Sequence, residues 1–142
     1  MQSPVIALQN INANSSVAEL WTAAKVCLQM GRFNQSLTLA YRAVQQDPSQ
    51  QQQYQIHYLE TVRLAAEFAE EIEDYPRAAY YWEQVTQQQP QNADAWYGLG
   101  LAKANLQDYP GAQGALTRCV QLQPGNERAR SHLQEIQQIL GI

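Results

Sequence analysis

Two cysteines, two histidines and only nine lysines and arginines among 142 residues remove several classes of function at the outset. Cys27 and Cys119 fall at small apolar positions of separate helical segments, so both are expected to be reduced core residues rather than a disulfide or a metal pair. His57 and His132 have no Cys, Ser or carboxylate pattern beside them that spells a nucleophile and its base. A Gly-rich phosphate loop, HExxH and CxxC are all missing. The chain is therefore expected to be no enzyme and to use no cofactor and no metal. Thirteen acidic residues outnumber the basic ones, for a net charge of −4, and no stripe of positive charge is present to neutralise phosphates. Nucleic acid is not an expected partner, and Arg128 and Arg130 read as solvated surface.

Long apolar runs are also lacking. The first fourteen residues, Met1 to Asn14, have no positive leading region, and polar residues interrupt Val5, Ile6, Leu8 and Ile11. Neither a signal peptide nor a membrane span fits that pattern, and a cytoplasmic location is expected. Strand signals are absent, which leaves an all-α chain, long enough for one domain with a continuous core. The glutamine runs Gln50 to Gln53 and Gln87 to Gln89 begin or end segments with apolar faces. Glutamine there is a helix-compatible solvent residue, not a sign of disorder.

What the chain does contain is an internal repeat. Pro90 and Pro124 each close a stretch made of Asp-Tyr-Pro, an alanine-containing helical run and a proline, and the interval between them is the length of one two-helix repeat. From Ala95 the last unit reads AWYGLGLAKANLQDYPGAQGALTRCVQLQP. Trp96, Leu99, Gly100, Ala112 and Pro124 match the pattern W-x2-L-G-x2-Y, A-x3-F, P in register, and the chain thus resembles the tetratricopeptide repeat (TPR) family. Lys103 stands in place of the pattern's aromatic and Leu116 in place of its phenylalanine. Both still fill packing space, the lysine by laying its stem along apolar surface. A weaker unit precedes this one, with Val62, Ala65, Ala66 and Ala69, then Tyr75, Ala78, Trp82 and Pro90. The earliest has Leu20, Ala23, Ala24 and Cys27, a Gly31-Arg32-Phe33 turn, then Ser36, Ala40, Ala43 and Pro48. Gly98, Gly100, Gly111 and Gly114 read as close-packing and turn positions.

The resemblance implies a right-handed α-solenoid of three helical hairpins plus a C-terminal capping helix. An N-terminal arm over residues 1–14 precedes a domain over 15–142, with repeats at about 16–48, 49–90 and 91–124. The capping helix is expected at about 126–140, because Asn126 can cap it and Ala129, Leu133, Ile136 and Leu140 recur at spacings of three and four. Pro48 and Pro90 stand further apart than Pro90 and Pro124, so the middle unit is longer than its neighbour by about two helical turns. No Gly or Pro occurs from Ser49 to Tyr75, which predicts one long helix over Gln50–Glu73 with Tyr54, Ile56 and Tyr58 on a projecting part. The arm either packs on its own first hairpin or lies in the groove of its own or a neighbouring molecule.

In TPR arrays the first helix of each hairpin lines a concave groove. That resemblance, with the helical period, places Ala18, Trp21, Lys25 and Gln29 on the groove side of the first unit. Glu60, Arg63, Glu67, Glu70 and Glu71 follow in the middle unit, and Asp94, Tyr97, Leu101 and Asn105 in the third. The expected function is a protein-binding module or assembly scaffold that takes a partner segment of basic character, with Trp21 and Tyr97 as apolar anchors. The carboxylate run Glu67 to Asp74 is taken as an acidic helix face rather than a calcium loop. Lys25 and Arg63 are the only groove cations, while Asp94 and Gly98 stand where a chaperone-tail clamp would place basic groups. An adaptor of that kind is disfavoured. The alternative reading is self-association into a homo-oligomer through Tyr54, Ile56 and Tyr58 or through the apolar end Ile139, Leu140 and Ile142.

Overall fold

The structure, a computed structural model, describes Leu8 and residues 10–142; the arm residues Val5 and Ile6 lie outside the described residues. Two compact units are present, divided between Thr61 and Val62. The first contains α1 (Val17–Gln29), α2 (Phe33–Gln46), a 3-10 turn over Pro48–Gln50 and the first half of α3 (Gln51–Glu71). The second contains the remainder of α3, then α4 (Tyr75–Gln88), α5 (Ala93–Asn105), α6 (Tyr109–Leu122) and α7 (Glu127–Leu140). Among the described residues every regular element is helical.

Side-chain oxygens start α1, α4, α5, α6 and α7 by accepting orphan backbone N–H groups, whereas Arg32 at the start of α2 makes no side-chain cap bond. Ser16 and Glu19 form a reciprocal capping box on α1, with bonds of 3.0 and 3.1 Å. The two Asp-Tyr-Pro motifs do the same job in successive repeats: Asp74 caps α4 and Asp108 caps α6, with Pro in the first turn of each. Asn92 caps α5 and Asn126 caps α7. The turns before α4 and α6 pass through left-handed backbone at Glu73 (φ 60°) and Gln107 (φ 62°), and the turn before α2 does so at Gly31 (φ 75°). Only the first hairpin supplies glycine where the geometry asks for it.

Small residues set the helix spacing. Ala23, Ala24, Cys27, Ala40 and Ala43 pack with Leu20, Trp21 and Leu39 in the first unit, and Leu8, Ile11 and Tyr54 close over them. In the second unit α7 covers α5 and α6 through Ala129 against Ala93 and Cys119, and through Ile136 against Ala112 and Leu116. Burial pushes the thiols of Cys27 and Cys119 above their ordinary range. A Cβ on Gly100 would stand 2.7 Å from Leu116 Cγ, so this position requires glycine. Gly114 is different from the expectation: a Cβ there meets nothing within 4 Å.

The expected long helix is continuous from Gln51 to Glu71. Its N-terminal part does not present Tyr54 and Tyr58 as a projecting patch together with Ile56. Tyr54 packs on the α1–α2 core, with its ring 6.3 Å from Tyr41 and stacked 6.3 Å from Tyr58. Helical pitch puts residues 54 and 58 on one side and Ile56 on the other, where it is 61% exposed.

Candidate partner-binding surface

The groove-side positions of α1 divide into two environments. Ala18, Lys25 and Gln29 are at least partly open to solvent, whereas Trp21 is buried, which corrects its expected role as an open apolar anchor. Its indole donates to Gln50 Oε1 at 3.1 Å and meets the His57 ring edge-on at 5.7 Å. The first half of α3 therefore covers the tryptophan that a face count alone leaves open. Glu60, one turn further along α3, is exposed.

In the second unit, Arg63 donates to Glu67 at 2.8 Å, an i,i+4 pair with both side chains more than two-fifths exposed. Glu70 is half-buried and accepts the Trp82 indole N–H at 2.6 Å. Desolvation raises its carboxyl above the usual range, the Trp82 hydrogen bond works in the opposite direction, and the neighbouring Glu67 charge adds to the rise. Glu71 and Glu73 are exposed, while Asp74 turns away to cap α4 and pair with Arg77 at 3.6 Å. The C-terminal part of α3 is thus an acidic face on which Arg63 is the ion-paired cation.

On α5, Asp94 and Asn105 are exposed and Leu101 is half-buried; Asn105 Nδ2 donates to the Leu101 carbonyl at 2.8 Å. Tyr97 is covered in part by α7. Its ring lies 5.9 Å from His132 and 6.0 Å from the Arg128 guanidinium carbon, and its hydroxyl is buried with no hydrogen-bond partner among the described residues. Arg128 therefore does more than solvate the surface, a role that its separation from Tyr97 along the chain conceals from a sequence pattern. Lys103 keeps its stem half-buried and brings Nζ to 3.5 Å from Asp108, and Trp96 donates to the Pro90 carbonyl at 2.9 Å. Among the described residues no group of three or more His, Cys, Asp or Glu is placed to hold a metal ion. No described helix is long and apolar enough to cross a membrane.

Residues 70–136 match the family model described as tetratricopeptide repeat. These residues are TPR repeats. The rat PEX5-related protein is 39% identical over 56 residues, which are 39% of this chain and 9% of that protein, so the chain spans only a small part of that relative. The structure of MamA from AMB-1 superposes with a TM-score of 0.65 at 15% identity, covering 97% of this chain and 72% of that one. The first TPR of Spaghetti (RPAP3), bound to the HSP90 peptide SRMEEVD, gives a TM-score of 0.57 at 16% identity over 89% and 94% of the two chains. At these identities the likeness is one of fold, and it bears out the all-α TPR class with hairpins and a terminal helix.

Proposed function

We propose that the chain is a protein-binding module whose second unit receives a basic partner segment along α3 and α5. The carrying observation is the carboxylate face of α3. Glu67 is ion-paired with Arg63, Glu71 adds an exposed carboxylate one turn further on, and Glu70 is already partly desolvated against Trp82. Removing a carboxylate from water strengthens its attraction for an arriving cation, and a surface lined by one sign of charge concentrates ligands of the other. Asp94 extends the same sign onto α5, and Leu101 offers apolar contact beside it. Lys25, Gln29 and Glu60 of the first unit carry a related but mixed-charge expectation. TPR neighbours support the reading, one of them having been seen with a peptide bound.

The test is fluorescence anisotropy with a labelled Lys/Arg-rich peptide, an acidic peptide and a scrambled neutral peptide. Binding is expected for the first only, weakening as salt rises through about 0.1 M. Glu67→Lys/Glu71→Lys should abolish it; unchanged affinity removes the acidic face from the mechanism. Self-association is the second reading, favoured by Ile139 and Ile142, which are 57% and 72% exposed. Sedimentation across a wide range of concentration separates the two.

A further inference from the structure

His57 is only 5% exposed, yet it is a side chain that titrates near neutral pH. Its Nε2 lies 2.8 Å from Ser36 Oγ. Ser36 Oγ also donates to the Ala24 carbonyl at 2.7 Å, and a hydroxyl has one proton to give. Nε2 must therefore be the donor toward Ser36, which assigns the neutral imidazole its proton on Nε2 and leaves Nδ1 to take the second. Around this ring three helices meet: α1 through Ala24 and Trp21, α2 through Ser36, and α3 through His57 itself. Gln50 holds Trp21 from the 3-10 turn, and Thr61 Oγ1 closes back on the His57 carbonyl at 2.7 Å.

We propose that His57 is a pH-sensitive latch that fastens the first half of α3 to the α1–α2 hairpin, closed with a neutral imidazole and released by its protonation. A second proton places a cation in a site with almost no access to water. The charged groups facing the ring are Lys25 from α1, which opposes that cation, and Glu60 from α3, which favours it. Burial outweighs both and holds the imidazole below its ordinary pKa. The ring then either stays as an unfavourable buried cation or swings to solvent, and swinging out breaks the Ser36 bond and uncovers Trp21. The linkage has a definite sign. With the folded pKa lowered, the stabilisation is complete above the unfolded value near 6.5 and is lost as pH falls from there toward the folded value. The latch belongs to the first unit and does not depend on the acidic face of the second.

Amide hydrogen exchange at pH 7.5 and 5.0, corrected for intrinsic rates, reads this latch region by region. In the wild-type chain α1, α2 and residues 51–61 should lose protection by up to about tenfold per pH unit below 6.5, while α5 to α7 hold theirs. His57→Gln retains an N–H donor for Ser36 and cannot titrate, so its first-unit protection should lose that pH dependence. An identical loss in His57→Gln, or an equal loss in both units, overturns the proposal. If the variant fails to fold, the ring-proton NMR titration of His57, told apart from His132 by His132→Gln, decides alone. A midpoint below 6.5 accompanied by first-unit shift changes supports the latch, and a midpoint at or above 6.5 rejects it.

Discussion

A Cβ built on Gly98 of α5 would lie 2.5 Å from Cε2 of Trp82 on α4, so the indole occupies the space a side chain would need. The same indole donates to Glu70 on α3. Trp82 is consequently held from two sides, and its ring cannot withdraw without losing a hydrogen bond to a partly desolvated carboxylate. Gly98→Ala is expected to cost about 1–3 kcal/mol by overpacking. Gly114→Ala, in open space on α6, is expected to stabilise by about 0.5–1 kcal/mol through helix propensity. Urea denaturation of the two variants checks the opposite signs.

Glu73 and Gln107 hold left-handed backbone in equivalent turns of successive repeats. That conformation brings Cβ close to the carbonyl oxygen for any L side chain but not for glycine. Glu73→Gly and Gln107→Gly should each raise stability by about 1 kcal/mol, despite the greater entropy of glycine in the unfolded chain. A fall in melting temperature for both would show that the side chains contribute more than the strain removes.

Glu70 gives a pH signature opposite in direction to that of His57. Its folded pKa is raised, chiefly by desolvation, so its stabilising contribution is present below the unfolded value near 4.5 and is lost as pH rises through the folded value. Glu70→Gln keeps an oxygen for the Trp82 indole and removes the charge. The variant should match the wild type near pH 4 and exceed it at pH 7 by less than about 1 kcal/mol. Thermal melts across that range provide the measurement.

The two described apolar residues of the arm, Leu8 and Ile11, close over the first-unit core, Arg42 donates to the Asn12 carbonyl at 2.8 Å, and Gln46 donates to the Ser15 carbonyl at 3.2 Å. Deleting residues 2–14 should therefore destabilise the first unit by about 1–3 kcal/mol, because apolar area is returned to water. Hydrogen exchange should show the loss in α1 and α2. Unaltered protection there would mean that the arm contacts add nothing to stability.

Short-range features of this chain were legible from residue order because they depend only on neighbours a few positions away. The repeat period, the Asp-Tyr-Pro and Asn starts and the uninterrupted α3 all follow from caps, breakers and helical pitch. The side of a helix that is covered was a different matter. Trp21 occupied a groove-side position by pitch, yet Gln50 and His57, from beyond the end of the first hairpin, close over it. Glu70 looked like one more solvated carboxylate until Trp82, on the following helix, brought an indole N–H to it. Tyr97 looked open until α7 placed His132 and Arg128 beside its ring. Pitch assigns each side chain a direction, but burial and charge state depend on what arrives from another helix, and only the tertiary structure brings those groups within a few ångströms.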